Sequence, residues 1–122
     1  MLRIVRIAFV LAFIMVVSGS FRGVSAADNK LDSFAKCLAE KNVKMYGLFW
    51  CQHCADQKEL FGSSFQYVNY VECAVPGSRT PTEECKAAGI KHTPTWTFSN
   101  GTRLEGLVPL DQLAKQSGCK LP

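Results

Sequence analysis

The chain has 122 residues, a formal net charge of +4 and six cysteines, and 48% of its residues are hydrophobic. Three arginines lie in residues 1–26, which leaves 11 Lys and Arg against 10 Asp and Glu in residues 27–122. No basic patch remains, which argues against a nucleic-acid partner. The length of the second part suits one small domain with one core.

The beginning of the chain, residues 1–26, has the three-part pattern of a secretory signal peptide. Its apolar run, residues 7–17, is shorter than the ~20 residues that span a bilayer, and residues 24–26 fit a cleavage site. Arg22 favours the alternative, an uncleaved membrane anchor. Either way we expect residues 27–122 to form a domain outside the cytoplasm, in a periplasm, a lumen or the cell exterior.

The remaining sequence predicts helices and strands in the order α-β-α-β-α-β-β-α. The third helix is expected to open with a capping box, Thr80 to Glu83, and Asn100-Gly101 predicts a hairpin turn. Together these indicate an α/β domain with a four-stranded mixed sheet flanked by helices. The predicted helices are 28–41, 51–61, 80–89 and 109–116; the predicted strands are 43–50, 65–73, 95–99 and 102–107.

The tetrad Cys51-Gln52-His53-Cys54 follows a predicted strand and opens a predicted helix. Unpaired N–H groups and the helix dipole stabilise a thiolate at this position. We therefore predict Cys51 as the nucleophile of a thiol exchange and Cys54, one turn deeper, as the thiol that resolves it. The alternative, half of a zinc site, lacks a second CxxC or a His pair, so no metal is predicted.

His53 lies between the two cysteines. As a partly charged neighbour it would stabilise the Cys51 thiolate and make the oxidised pair a better oxidant. The alternative is a solvent-exposed residue without a role.

The chain resembles the thioredoxin-fold disulfide oxidoreductases. The resemblance rests on Trp50 to Cys54, Gly89-Ile90, Thr93-Pro94-Thr95 and Asn100-Gly101. Further segments are similar to the thioredoxin-like domain that is fused to bacterial vitamin K epoxide reductase homologues. These segments are Met45-Tyr46-Gly47, residues 57–62, residues 70–73 and Pro94-Thr95-Trp96.

The resemblance implies roles for residues around the tetrad. It implies a cis Pro94 opposite the cysteines, Thr93 as the backbone that receives an extended substrate segment, and Trp50 packed beside the motif. Two positions depart from it. Gln52 stands where relatives commonly carry Pro, and this change affects the reduction potential of the cysteine pair. Met45 stands where thioredoxins proper bury an acidic residue.

The resemblance also implies a structural disulfide between Cys73 and Cys85, the alternative being a second redox pair that relays electrons to the tetrad. Six cysteines allow 15 connectivities, and the sequence alone does not choose among them. We pair Cys37 with Cys119 only because they remain after the other two pairs are assigned.

The sequence therefore predicts an exported thiol–disulfide oxidoreductase of oxidative folding, without metal or organic cofactor. The expected partners are cysteine-containing proteins and a membrane redox partner of the vitamin K epoxide reductase type, and a monomer is expected. The alternatives are a disulfide reductase, for haem-attachment or similar thiols, and a non-catalytic binding or metal-carrier module on the same fold.

Overall fold

A computed structural model describes residues 30–122. The signal peptide or anchor predicted for residues 1–26 lies outside this range. The elements, in chain order, are α1 (Asp32–Glu40), β1 (Lys44–Gly47), α2 (Gln52–Phe61), a 3-10 helix (Gly62–Tyr67), β2 (Asn69–Glu72), α3 (Glu83–Ala87), β3 (Thr95–Thr97), β4 (Arg103–Glu105) and α4 (Leu110–Ser117).

The strands form a four-stranded mixed sheet in the order β2-β1-β3-β4. β1 runs parallel to β2 and antiparallel to β3, and β3 pairs with β4 in the hairpin. The mixed α/β sheet with flanking helices agrees with the predicted thioredoxin-like architecture. Because β1 is a central strand, the loop that follows it emerges from the middle of the sheet, where the cysteine tetrad begins.

Most of the core lies on the side of the sheet that carries Met45 and Trp96, both fully buried. Phe34 and Leu38 of α1, Phe61 of α2 and Leu113 of α4 belong to the same cluster. Side chains alternate across a strand, so Tyr46 enters a second, smaller cluster with Cys73 and Cys85 of the α3 side.

The predicted strand 65–73 was wrong in its first part, because Phe65 lies in the 3-10 helix that continues from α2. Two contacts explain this. The Phe65 ring packs edgewise on Phe61 with centroids 6.0 Å apart, and the buried Ser64 hydroxyl donates to the Asp32 carboxylate at 2.7 Å. Tertiary packing thus outweighs the strand preference of these aromatic residues.

The predicted capping box at Thr80 was also wrong. Thr82 caps α3, since its side-chain oxygen accepts from the Cys85 N–H at 3.3 Å. Thr80 and Pro81 stay extended because Val75 N–H donates to the Thr80 carbonyl at 2.9 Å and Pro81 forms an isolated bridge with Ala74.

Among residues 30–122, no helix has the length and apolarity needed to cross a bilayer.

Candidate functional site

The two cysteines of the tetrad lie at the first turn of α2. Cys51 is the N-cap, in an extended conformation, and Cys54 lies inside the first turn. A disulfide joins them, with Cα atoms 5.2 Å apart. Cys51 is half-buried whereas Cys54 is only 1% exposed, so an incoming thiol reaches Cys51 and not its partner.

The backbone of α2 contacts the outer sulfur directly. The Cys54 N–H donates to Cys51 Sγ at 3.2 Å, as N2 or N3 groups donate to a capping oxygen. In the reduced protein this N–H and the helix dipole favour the thiolate of Cys51. The Thr93 carbonyl oxygen, 3.5 Å from the same sulfur, can accept from the protonated thiol and acts in the opposite sense.

Gln57 anchors α2 from inside. Its side chain is fully buried, its Nε2 donates to the Val108 carbonyl at 2.9 Å, and its Oε1 accepts from the Val108 N–H at 2.8 Å. The Gln57 amide thus exchanges two hydrogen bonds with the Val108 backbone, as paired residues of two β-strands do. These bonds fix α2 against the segment before α4. The sequence carries no local signal for it, because its partner is 51 residues away.

The two residues between the cysteines are exposed and share one acidic neighbour. Gln52 Nε2 donates to Asp56 at 2.8 Å, and His53 Nδ1 lies 3.7 Å from the other carboxylate oxygen. The negative charge of Asp56 offsets part of any positive charge on His53. Asp56 was not singled out from the sequence, although its i+3 and i+4 spacing from these residues was a usable signal.

The segment opposite the cysteines contains Thr93 and Pro94, joined by a cis peptide bond. Pro94 is buried, and its carbonyl accepts from Gly106 N–H at 2.8 Å, which ties the segment to the end of β4. Thr95 Oγ1 donates to the His92 carbonyl at 2.6 Å. Within residues 30–122 the Thr93 N–H has no hydrogen-bond acceptor, so it stays available to an incoming backbone.

Trp50 is partly buried next to Cys51 and contacts two exposed residues. The Phe49 ring packs edge-on with centroids 4.7 Å apart, and the Arg79 guanidinium lies 5.0 Å from the Trp50 ring centroid. Arg79 was not predicted as a site residue. No local sequence signal identifies Arg79, because it lies in the loop between β2 and α3, far along the chain from Trp50. Only the fold places its guanidinium beside the Trp50 ring.

Behind Cys54 the site is closed by β1 and β2. Met45, which replaces the acid of the resembling thioredoxins, is fully buried and pairs in register with Tyr70. A side chain at Gly47 would come within 2.8 Å of the Tyr70 ring and 3.3 Å of Cys54 Sγ, so this position needs glycine.

Tyr70 donates its hydroxyl proton to Glu72 at 2.7 Å. Burial, together with the hydrogen bond and the charge of Glu72, raises the pKa of Tyr70 well above its ordinary value. Tyr70 therefore stays neutral at the pH values at which thiols exchange.

The other four cysteines form two disulfides away from the tetrad. Cys73 and Cys85 are joined with Cα atoms 5.5 Å apart, and Cys37 and Cys119 with Cα atoms 5.9 Å apart. The first holds the loop after β2 to α3. The second joins α1 to the segment after α4.

Within residues 30–122, no group of three or more His, Cys, Asp and Glu side chains is placed to hold an ion.

Part of a known protein is similar to this chain. No protein-family model matches the chain. Over 93 residues the chain is 42% identical to the thiol-disulfide oxidoreductase LTO1 of Arabidopsis thaliana. The match covers 73% of this chain and 24% of that protein, so the chain spans about a quarter of its relative's length. This chain is thus similar to part of a thiol–disulfide oxidoreductase. It also carries two cysteines at the N-terminus of α2 whose sulfurs are at disulfide distance.

Proposed function

We propose that the chain is an exported thiol–disulfide oxidoreductase that exchanges disulfides with cysteine-containing proteins in oxidative folding. One observation carries the proposal: a half-buried sulfur that caps α2 is bonded to a buried sulfur one turn inside. The similarity to part of a plant thiol-disulfide oxidoreductase supports the same reaction class.

The difference in exposure between the sulfurs supports the following order of steps. A substrate thiolate attacks Cys51 Sγ, the Cys51–Cys54 bond breaks, and Cys54 leaves as a thiolate that takes up a proton. A second substrate thiolate then attacks the substrate sulfur of the mixed disulfide and displaces Cys51. The substrate loses two electrons and gains a disulfide, and the pair gains both electrons. In the reverse direction Cys54 resolves the mixed disulfide.

Thr93 is the proposed docking point for the substrate backbone. Its carbonyl lies 3.5 Å from Cys51 Sγ and its N–H has no acceptor within residues 30–122. An extended segment that pairs with this residue by strand addition brings its own cysteine next to Cys51. Trp50, which precedes Cys51 in the chain, lines the same cavity as Thr93.

The reduced pair needs an electron acceptor to start again. We assign this to a membrane redox partner of the vitamin K epoxide reductase type, on the resemblance of segments 57–62 and 70–73. The leader-like residues 1–26 support a place outside the cytoplasm, where such a partner operates.

A second candidate, a disulfide reductase for haem-attachment or similar thiols, is favoured by Asp56. Its carboxylate, 3.7 Å from His53, opposes thiolate formation at Cys51 and so makes the pair more reducing. The reduction potential measured against glutathione separates the two. A value near the ~−270 mV of thioredoxin would favour the reductase, and one nearer ~−120 mV the oxidant.

The exchange itself is tested by trapping. Cys51→Ser should abolish turnover, whereas Cys54→Ser should accumulate covalent adducts with substrate proteins that a reductant releases. The double variant is the matched control, because it retains the two other disulfides and has neither exchanging sulfur. Trapping by Cys51→Ser instead, or by neither single variant in folded protein, would contradict the assigned roles.

A further inference from the structure

A cavity of about 180 Å³ lies beside the cysteine pair. Trp50 and Thr93, which border the exchanging sulfurs, form one side of it. Leu48, Ile90 and the Cys73–Cys85 disulfide are part of its lining. These are residues of the smaller hydrophobic cluster, so the interior is apolar.

The opening of the cavity is positively charged. Arg79 and Lys91 line it, both are exposed, and neither forms an ion pair within residues 30–122. No carboxylate belongs to the lining. Glu72, in the strand next to β1, already accepts from the N–H groups of Phe49 and Ala74 and from the Tyr70 hydroxyl.

The position of Thr93 links the cavity to the reaction. An extended segment advances 3.2–3.4 Å per residue, so residues one or two positions from a cysteine paired at Thr93 lie within about 7 Å of it. The cavity shares Thr93 and Trp50 with the cysteine site. A side chain next to the substrate cysteine therefore meets this cavity.

We propose that the cavity is a specificity pocket for the substrate. It selects segments in which a large apolar side chain lies within two residues of the reactive cysteine and an acidic residue also lies next to that cysteine. The inference rests on the proposed exchange function. The volume fits one leucine- or phenylalanine-sized side chain. The two cations at the opening have no carboxylate partner within residues 30–122, so they complement an acidic neighbour and disfavour a basic one.

The test measures how fast reduced Cys54→Ser protein attacks peptides whose cysteine is activated as a pyridyl disulfide. Cys51 forms the mixed disulfide, and the pyridinethione that leaves is followed by absorbance. Three peptides are compared: one with Leu and Glu beside the cysteine, one with Ala in place of Leu, and one with Lys in place of Glu.

The Leu–Glu peptide should react about tenfold faster than the Ala peptide, the discrimination typical of an apolar pocket. It should react roughly fivefold faster than the Lys peptide, as exposed charges contribute modestly. Ile90→Phe, which fills the cavity, should remove the first preference. Arg79→Gln combined with Lys91→Gln should remove the second. Lys115→Gln combined with Lys120→Gln, two exposed positions in and after α4, is the matched charge control and should leave both preferences unchanged.

Dipyridyl disulfide, which has no side chain for the cavity, separates this inference from the proposed function. If it reacts with the protein no faster than with free cysteine, the exchange function fails. If it reacts fast and the three peptides react equally, or if the pocket variants keep both preferences, the specificity pocket is wrong. The pocket is also wrong if these variants change the oligomeric state, because the surface would then be an interface between copies of this chain.

Discussion

At the scale of single residues, the reactivity of the site depends on the surroundings of Cys51. The Cys54 N–H favours its thiolate and the Thr93 carbonyl favours its thiol. Asp56 adds a negative charge near His53, which opposes the thiolate. The tetrad was predictable from sequence because its spacing is local. The Thr93 carbonyl contact spans 42 residues, so only the fold brings these two atoms together.

Neutralising Asp56 should make the pair more oxidising. Asp56→Asn removes the charge that opposes the Cys51 thiolate, so the reduced form gains stability and the reduction potential rises. For a gain of up to ~1 kcal/mol the rise is up to about 20 mV, measured by equilibration with glutathione. Glu59→Gln, exposed on the same helix, is the control. An unchanged or lower potential, or an equal shift in the control, would contradict this role for Asp56.

At the scale of elements, the order of helices and strands followed from the sequence and the boundaries did not. Periodicity and the Asn100-Gly101 turn predict the order because these signals are local. The 3-10 helix at Gly62–Tyr67 and the start of α3 depend on long-range contacts. Ser64 reaches Asp32, and Pro81 forms a bridge with Ala74. Because the partners in these contacts are distant in the chain, a short stretch of sequence does not predict them.

The tether of the loop after β2 should matter more for stability than for the exchange reaction. Replacing both Cys73 and Cys85 with Ala should lower the free energy of unfolding by about 2–3 kcal/mol, the chain-entropy estimate for their separation of 12 residues. Urea denaturation measures this loss, and multiple turnover with a reduced protein substrate measures the exchange. Loss of exchange in protein that is still folded would favour the relay of electrons through this pair.

At the scale of the whole molecule, one disulfide connects the two ends of the described chain. Cys37 of α1 and Cys119 after α4 are 82 residues apart in sequence. Elimination alone had paired them, because sequence does not choose among the connectivities of six cysteines. The packing of both segments into the same core brings the sulfurs together.

This end-to-end disulfide should stabilise the molecule more than the loop tether. Replacing Cys37 and Cys119 with Ala should cost about 4.5 kcal/mol, because the constrained loop of 82 residues is longer. The same urea experiment, run beside the Cys73 and Cys85 double variant, ranks the two losses. A smaller loss for the end-to-end pair would contradict the chain-entropy argument.

The central claim is that the N-terminus of α2 stabilises the Cys51 thiolate. Alkylation of the reduced tetrad across a range of pH, with the other two disulfides intact, tests it most directly. The account predicts that Cys51 is modified first and that its rate is half-maximal clearly below the ~8.5 of a free cysteine. Faster modification of Cys54, or a midpoint for Cys51 at or above that pH, would contradict it.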